Sequence, residues 1–557
     1  MTGRQRTYRI LGVLSLVVGV ALIAASVGVS ARSSQSASAK KYTNFRVILD
    51  TVDYLDPAQA YTGEAWSAMW LSFGTLMTYP HKDKAHGGGR LVPGLAAAMP
   101  RISRDGKTYV FKLRPGLRYS NGKPVKATDF NFAIERNYRA HSQGVGFYGN
   151  FDQSNRPTGI VGAAKYSKAL KGNIGGIIGN NAKRTVTFKL VKPRGDFLSL
   201  LALLFSSPVP AGTPDADQST KDLPSTGGYH IIDYTPNQGF ALVRNKYFKP
   251  TKFVPKPLPD KITVKLIGDG AAATQQVING QADGAYQVAI PPDRLGTIGK
   301  QYGKRLKLTL TANTYYFWMN TRSPVFTKLK ARQAVNYAIN RPAMIKAVFG
   351  GLGKPTQQVL PPNYPQYRKV NLYKRNLTKA RTLVRQAGVN GAHITVWGRQ
   401  VSDSVQATEL MASTLESIGF KTTIKILPRA TYYTTIGNAD TPDRDIGWAR
   451  WLEDYPHPSD WFDVLLNGNR ITAQNNNNYS ETNVGKINRL IEKLNTKPLS
   501  AKVNAQWAQV DKMVMQNASW APWVNRVFPD FLGASVNQGC YVDQPIYHFD
   551  YSRMCRK

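Results

Sequence analysis

Two helical stretches that each end at a glycine most restrict the folds open to this chain. The stretch Leu377–Ala387 is followed by Gly388, and the stretch Val405–Ile418 is followed by Gly419. Glycine stops a helix well because it adopts the left-handed conformation without a Cβ clash. The residues Phe420–Leu427, directly after the second glycine, have the composition of a strand. This helix–glycine–strand order is typical of α/β units.

Strand periodicity recurs elsewhere, in segments that alternate apolar and polar residues. These segments are Tyr109–Leu113, Thr185–Val191, Ile262–Ile267 and Leu306–Thr311. The residues Lys328–Phe349 instead have helical spacing, interrupted at Pro342. At 557 residues, with 42% hydrophobic content, the chain predicts a packed globular protein of two or three domains.

The segment Asp445–Phe462 (DIGWARWLEDYPHPSDWF) surrounds two adjacent carboxylates, Glu453 and Asp454, with aromatic rings. The rings are those of Trp448, Trp451, Tyr455, Trp461 and Phe462. Pro456 and Pro458 stop any helix there and hold the backbone extended or turned. An acidic group walled by aromatic rings suits an organic cation such as an ammonium. The alternative is a packed loop with a solvated acidic corner.

The net charge of the chain is +39, from 73 basic and 34 acidic residues. Such a surface attracts polyanions such as anionic lipid, cell-wall polymers or nucleic acid. The basic residues are scattered along the chain, and no zinc-finger spacing, RNA-binding signature or basic zipper is present. We therefore interpret the charge as adaptation to an anionic cell envelope and expect no specific nucleic-acid partner.

The N-terminus has the layout of a secretory signal. Arg4, Arg6 and Arg9 precede an apolar run over Ile10–Val29, and small residues follow it. Two cleavage sites fit this layout, after Val29-Ser30-Ala31 and after Ala37-Ser38-Ala39. The run is nearly long enough to cross a bilayer, so an uncleaved anchor is the alternative. Residues 33–41 have the composition of a tether.

No convergent catalytic set is apparent, and we predict a protein that is not an enzyme, with no metal and no cofactor. The seven histidines are spread along the chain without a metal-binding motif, and no GxSxG elbow occurs. The segment Ser38–Lys41 matches SxxK by chance, because it lies in the export tail. Gly353-Lys354 lacks both the first glycine and the Ser/Thr of a phosphate-binding loop.

The two cysteines, Cys540 and Cys555, both lie near the C-terminus. Outside the cytoplasm such a pair is a candidate disulfide. The alternative is two free thiols.

Six segments in order resemble one known protein family. They are LDPA at Leu55–Ala58, the long run from Gly89 to Asn137 (GRLVPGLAAAMPRISRDGKTYVFKLRPGLRYSNGKPVKATDFNFAIERN), PSTGGYHI at Pro224–Ile231, LVRNKYF at Leu242–Phe248, FWMNTRSPVFTKLKARQAVNYAINRPAMI at Phe317–Ile345, and the Asp445–Phe462 segment. Their order resembles that of the extracytoplasmic solute-binding proteins of bacterial ABC importers, in the oligopeptide- and dipeptide-binding family (family 5).

The resemblance implies an α/β, two-lobed, hinged fold like that of periplasmic binding proteins, with an additional inserted domain. On this pattern residues 1–41 are the signal peptide or N-terminal anchor with its tether. Lobe I is discontinuous, over 42–80, 208–312 and 520–557. The inserted domain covers 81–207 and lobe II covers 313–519. In the PSTGGYHI segment we expect Gly227 and Gly228 to form a tight turn with positive φ.

The family resemblance also implies the function, which is capture of peptides in an interlobe cleft and delivery to an ABC permease in the membrane. The family's aspartate that meets the ligand ammonium falls on Asp454, with Glu453 as the competing candidate. We also expect Trp451 and Tyr455 as walls of the cleft, with core packing as the alternative for each ring, and Asn320 as a residue near the cleft. In the family, the backbone near Tyr61, Thr62 and Gly63 often approaches the ligand.

Three points stay open from the sequence alone. The lipidated cysteine that tethers many family members is missing after the apolar run, so the protein is expected at the outer membrane face or outside the cell by another route. The same scaffold also carries non-peptide solutes in the family, such as metal chelates, haem, sugars or opines. A third hypothesis, motivated by the charge of +39, is an envelope protein that binds polyanions.

Overall fold

The computed structural model describes residues 44–142, 144–149, 159–429 and 431–557. The predicted export signal, its cleavage sites and the tether lie outside the described residues.

The first part of the chain contains short strands and helices in mixed order. Its strands are β1 (Asn44–Leu49), β2 (Met77–Thr78), β3 (Val92–Pro93), β4 (Arg101–Ile102), β5 (Thr108–Lys112), β6 (Ile177–Asn180), β7 (Thr185–Lys189), β8 (Tyr229–Thr235), β9 (Gly239–Arg244), β10 (Lys261–Leu266), β11 (Gly284–Ala285) and β12 (Leu306–Leu310). Its helices are α1 (Gly63–Ser72), α2 (Thr128–Arg139), α3 (Val145–Gly149), α4 (Ala163–Ala169), α5 (Phe197–Leu200), α6 (Gly270–Ile278) and α7 (Pro292–Tyr302).

The second part contains longer strands and most of the long helices. Its strands are β13 (Asn313–Met319), β14 (Gly353–Pro355), β15 (His393–Arg399), β16 (Lys421–Leu427), β17 (Ile446–Leu452), β18 (Trp520–Leu532), β19 (Asp543–Gln544) and β20 (His548–Phe549). Its helices are α8 (Leu329–Ala338), α9 (Arg341–Phe349), α10 (Leu377–Gln386), α11 (Ser402–Glu416), α12 (Tyr432–Ile436), α13 (Ser459–Leu465), α14 (Gly485–Asn495) and α15 (Ala501–Asn517).

One sheet runs through the molecule, in the strand order β16-β15-β17-β13-β18-β11-β1-β10-β9-β8. Strand β18 is its centre and has 13 residues. The first part of β18, Trp520–Val524, pairs with β13, whereas Val527–Leu532 pairs with β12 and β11. The boundary between the two halves of the sheet therefore lies inside β18. The boundary predicted from the sequence lies before Trp520, so that prediction assigns the whole strand to lobe I.

Two large hydrophobic cores lie on either side of this boundary. The core that we call the lobe II core contains buried residues from Ala312 to Val524. The lobe I core combines buried residues from Phe45 to Tyr286 with the C-terminal residues Leu532–Met554. Strands β4, β5, β6 and β7 form a separate four-stranded sheet within the predicted inserted domain. That sheet nevertheless shares the lobe I core, so this domain packs as an extension of lobe I.

Most of the elements that the sequence indicates are present within two residues of their predicted ends, and α11 begins three residues earlier. Asn340 caps α9, and Pro342 lies in its first turn, so the predicted interruption separates two helices. Gly388 and Gly419 have φ of +69° and +108°, as a C-terminal helix stop requires.

The prediction of positive φ at Gly227 and Gly228 is wrong, since neither residue is in that region. Glycine is needed there because the chain passes too close to its neighbours for a side chain. A Cβ on Gly227 would lie 2.6 Å from the Ser72 backbone, and one on Gly228 would lie 2.7 Å from the Pro257 ring.

Two further observations concern the chain ends and the membrane. Cys540 and Cys555 are joined by a disulfide that links two parts of the C-terminal segment.

Across the described ranges, no helix combines the length and the apolar character needed to span a membrane.

Candidate ligand-binding cleft

The parallel strands of both lobes direct their carboxyl ends toward one cavity. In lobe I, β10 and β11 run parallel to β1, and Asp50, Gly268 and Tyr286 follow the ends of these strands. In lobe II, β16 and β17 run parallel to β15. Side chains outside the carboxyl ends of parallel strands are where α/β proteins bind ligands.

This cavity has a volume of about 440 Å³, which is within the range of small-molecule sites. Its acidic lining residues are Asp50, Asp53 and Glu64, all from lobe I. Its basic lining residues are Arg399, Arg429, Arg450 and Arg526. Aromatic rings complete the walls, from Tyr61, Tyr286, Tyr433, Trp451, Tyr479 and Phe528. The two sides of the cleft therefore carry opposite charge.

The lobe I wall is organised around the start of α1. Asp53 accepts hydrogen bonds from the backbone N–H of Tyr61 and Thr62 and from the Thr62 hydroxyl, at 2.7, 3.1 and 2.8 Å. These bonds occupy Asp53 in holding the loop, and Thr62 in turn caps the helix. In contrast, Asp50 and Glu64 form no side-chain hydrogen bond or ion pair with other described residues. Burial raises the pKa of Glu64, while Arg450 and Arg429 oppose this shift from across the cavity.

The lobe II wall carries its arginines at the ends of parallel strands. Arg399 is the last residue of β15, Arg429 follows β16 by two residues, and Arg450 lies near the end of β17. The Arg399 guanidinium donates to the Arg429 carbonyl at 3.2 Å, which joins two of these strand ends. It also lies over the Tyr433 ring, at 5.1 Å from the ring centre.

Asp454 lies at the junction of the two lobes. The Tyr61 hydroxyl of lobe I donates to Asp454 Oδ2 at 2.6 Å. The Asp454 backbone N–H donates to Asp460 Oδ2 at 3.1 Å. Burial raises the pKa of Asp454, because ionising two neighbouring carboxylates away from water is unfavourable. Asp454 is thus behind Tyr61, which itself lines the cavity, and is not a lining residue.

Glu453 points away from the cavity lining. Its backbone N–H donates to the Ala312 carbonyl at 2.9 Å, which continues the sheet. Its Oε2 atom is buried without a hydrogen-bond partner. Burial raises the pKa of Glu453 to about 8, although a hydrogen bond from Tyr364 lowers it.

The remaining sequence candidates have different surroundings. Trp451 lines the cavity and donates its indole N–H to Asp460 Oδ2 at 3.1 Å. Tyr455 is buried in the lobe I core, and its ring meets Phe147 edge to face. Asn320 follows the far end of β13 from the cleft, and its side chain accepts from the Arg322 backbone. Trp451 therefore lines the cleft and Asp454 lies directly behind its lining residue Tyr61, whereas Tyr455 and Asn320 do not line it.

The arginines and Glu64 are the site residues that the sequence analysis missed. The available signal was an arginine at or just after each predicted strand end, as at Arg399 and Arg429. Because the chain has 73 basic residues, these arginines could not be distinguished in the sequence from the many others. The predicted approach of Tyr61, Thr62 and Gly63 agrees with the lining of the cavity.

A comparison with protein families decides the class. The family model described as bacterial extracellular solute-binding proteins, family 5 (middle region), matches residues 90–473. The chain belongs to this family of solute-binding proteins. Recognition of family 5 from the six ordered segments is therefore confirmed.

Individual relatives of this family 5 protein are distant. The glutathione-binding protein GsiB of Escherichia coli O6:K15:H31 (strain 536 / UPEC) is 26% identical over 327 residues, and the match covers 58% of each chain. The heme-binding protein A of Haemophilus influenzae is 26% identical over 485 residues, covering 81% of this chain and 82% of that protein.

Among solved structures, the clavulanic acid biosynthesis oligopeptide binding protein 2 superposes with a TM-score of 0.81 at 24% identity. The superposition covers 92% of this chain and 95% of that chain. This agreement confirms the predicted two-lobed α/β fold.

Proposed function

We propose that the protein captures peptide-like solutes outside the cytoplasm and delivers them to an ABC permease for import. The observation that carries this proposal is a cleft with acidic side chains on lobe I and arginine side chains on lobe II. A peptide is a dipole with an ammonium and a carboxylate, and it fits such a cleft in one orientation. Membership of family 5 supports the transport role, and a structural neighbour named as an oligopeptide-binding protein supports the ligand class.

In this proposal Asp454 receives the ligand ammonium. Tyr61 now donates to the Asp454 carboxylate, and an ammonium is a stronger, charged donor that can take the place of that hydroxyl. The positive charge also favours the ionised form of Asp454, which burial disfavours. Removing one member of such an enclosed pair costs about 2–5 kcal/mol.

Ligand binding would stabilise the arrangement in which both lobes contact the solute. A solute that touches Tyr61 on lobe I, and Asp454 and the arginines on lobe II, has more contacts when the lobes approach each other. That difference in contacts is the free energy that shifts the hinge equilibrium toward closure. The predicted export signal and the family placement support action on the outer side of the membrane.

Isothermal titration calorimetry of the native protein tests this proposal. The ligands are short peptides with a free amine and the same peptides N-acetylated. We expect N-acetylation to weaken binding by about 30-fold or more, and the Asp454→Asn variant to bind both forms alike. The Glu64→Gln variant is the matched comparison on the opposite wall. Loss of the amine preference in Glu64→Gln but not in Asp454→Asn would contradict the assignment of Asp454.

Haem is a second candidate ligand, because the relative that matches over 82% of its length is a heme-binding protein. The aromatic lining of the cleft, including Trp451 and Phe528, suits a large flat ligand. Titration with haemin, followed by its visible absorption band, separates the two ligand classes. A saturable change of that band, together with no detectable binding of the peptides by calorimetry, would contradict the peptide proposal.

A further inference from the structure

We infer that Arg399, Arg429 and Arg450 form one anion-binding subsite, and that the solute presents at least two carboxylates to it. This inference rests on the proposed function and narrows its ligand class to acidic, peptide-like solutes. These three residues form what we call the arginine wall.

The three arginines converge because of the topology of lobe II. Their strands, β15, β16 and β17, lie side by side and run parallel, so that their carboxyl ends share one edge. All three side chains line the same cavity. They are far apart in sequence, yet the sheet brings them to one wall.

Within the described residues, the acidic neighbours of the arginine wall lie beyond ion-pair distance: Asp403 acts on Arg399 and Arg450, and Glu64 acts on Arg429 and Arg450 from across the cavity. Among the described residues, none of its three guanidinium groups forms an ion pair with a carboxylate. The fourth cleft arginine, Arg526, differs, because Asp403 lies 3.7 Å from its guanidinium. Arg526 is also stacked over Phe349 and Phe528, at 4.6 and 4.5 Å from the ring centres. Arg526 therefore has a carboxylate within ion-pair distance, whereas the three residues of the arginine wall do not.

Neutral contacts hold two of these guanidinium groups in place. Arg450 donates to the Tyr315 hydroxyl at 3.2 Å. Arg399 lies over Tyr433, whose ring stacks on Tyr479 at 5.9 Å between centres. These contacts use at most one or two of the five N–H donors of each group. The remaining donors are free for carboxylate oxygens, which a guanidinium binds in pairs.

The number of unpaired cations sets the number of ligand carboxylates. When the lobes approach each other, the arginine wall loses water, and an unpaired guanidinium away from water is costly. One carboxylate binds one guanidinium in the paired geometry and leaves the others unmatched. A solute with two or more carboxylates satisfies the wall, while Asp50 and Glu64 on the opposite wall repel carboxylates and fix its direction.

The test is calorimetry at constant ionic strength with three peptides of equal length. They are Ala-Ala-Glu with two carboxylates, Ala-Ala-Gln with one, and Ala-Ala-Gln amide with none. We expect affinity to fall by about tenfold or more at each step for the wild-type protein. In Arg429→Gln and Arg450→Gln the steps should shrink to less than about threefold. Arg429 is the safer variant for folding, because its side chain is exposed and makes no hydrogen bond to the described residues.

A matched control is Arg385→Gln, which removes the same charge from an exposed position on α10 of lobe II. It should leave all three affinities unchanged. Equal affinity of the wild-type protein for the three peptides would overturn the inference and leave the proposed function standing.

Glutarate, a dicarboxylate without an amine, distinguishes failure of the anion-binding subsite from failure of the peptide proposal. If no peptide binds but glutarate raises the melting temperature of the wild-type protein and not of Arg450→Gln, the subsite stands and the peptide proposal falls. If neither the peptides nor glutarate bind, both are overturned.

Discussion

At the scale of single residues, the Asp445–Phe462 segment separates into side chains with different tasks. Trp451 lines the cleft, Asp454 lies behind Tyr61, and Tyr455 packs into the lobe I core. Glu453 buries its Oε2 atom without a hydrogen-bond partner, and Trp448, His457 and Asp460 of the same segment also bury one such polar atom each. Burial disfavours the charged carboxylate, and this raises the pKa of Glu453 to about 8.

Glu453 predicts a specific pH dependence of stability. Its pKa in the folded protein is raised from 4.5 to about 8, so the folded state holds a proton that the unfolded chain releases. The resulting stabilisation is complete below pH 4.5 and is lost as the pH rises through 8. Glu453→Gln keeps a neutral group of the same shape. We expect it to match the wild type at pH 5 and to be more stable by about 1–3 kcal/mol at pH 8.5.

Calorimetric melting of both proteins from pH 5 to pH 8.5 measures this difference. The neighbours Lys84, Asp454 and Tyr364 are unchanged in the variant, so they contribute equally to both curves. Parallel melting curves across this pH range would contradict the assignment of a protonated Glu453.

At the scale of elements, β18 joins the two lobes, and its pairing changes where it passes between them. The register shifts between Tyr315 and Tyr316 on the partner strand β13. Near this shift, side-chain hydrogen bonds of Asn313 and Asn525 take the place of backbone hydrogen bonds between the strands. The Asn525 amide donates to the Asn313 carbonyl at 2.8 Å and to Thr314 Oγ1 at 2.9 Å. The Asn313 amide donates to the Arg526 carbonyl at 2.8 Å.

The Asn525→Ala substitution should therefore lower the free energy of unfolding more than the removal of one polar side chain usually does. The change leaves the buried Asn313 carbonyl without its side-chain donor, and an unsatisfied buried group costs about 1–3 kcal/mol. Thr423→Ala on β16 removes an exposed hydroxyl and should cost less than about 0.5 kcal/mol. Denaturant unfolding compares the two variants. Equal, small losses would show that the asparagine pair does not support the crossing.

The sequence indicated these elements where local chemistry decides them. Helix stops at Gly388 and Gly419 follow from backbone conformation, which is a property of the residue itself. The reason for Gly227 and Gly228 was missed because a close approach to Ser72 and Pro257 depends on distant parts of the chain. The lobe boundary inside β18 was missed for the same reason, because the sequence of a strand does not determine which strands it pairs with.

At the scale of the whole molecule, the region predicted as an inserted domain also contacts lobe II. The Asp196 carboxylate is paired with Arg194 at 2.8 Å and accepts hydrogen bonds from the hydroxyls of Tyr455 and Ser459, at 3.3 and 3.0 Å. The Gly195 backbone N–H donates to the Asn495 carbonyl at 2.7 Å. Together with the Tyr61–Asp454 bond, these contacts hold the two sides in the arrangement observed.

Removing one of these contacts should loosen the arrangement without unfolding either lobe. Tyr455→Phe deletes the hydroxyl that reaches Asp196 and keeps the ring, at a cost of about 0.5–1.5 kcal/mol. We expect a larger radius of gyration in small-angle X-ray scattering without ligand. Tyr337→Phe, which deletes a hydroxyl bonded to Lys379 within lobe II, is the control. Equal radii for both variants would contradict a role of Tyr455 in lobe contact.

The candidate site was predictable only in part, for a physical reason. Asp454 belongs to a local pattern of aromatic and proline residues that is visible in the sequence. The arginine wall is assembled by three parallel strands from separate parts of the chain. No local pattern marks those arginines among 73 basic residues, so only the fold identifies them.

The most direct test of a charge-divided cleft is a crystal structure of the protein with the tightest-binding peptide. We expect the peptide between the lobes, with its ammonium within about 3 Å of Asp454. Its carboxylates should lie within about 3 Å of Arg399, Arg429 or Arg450. A peptide bound outside the cleft, or bound with its carboxylates toward Asp50 and Glu64, would contradict it.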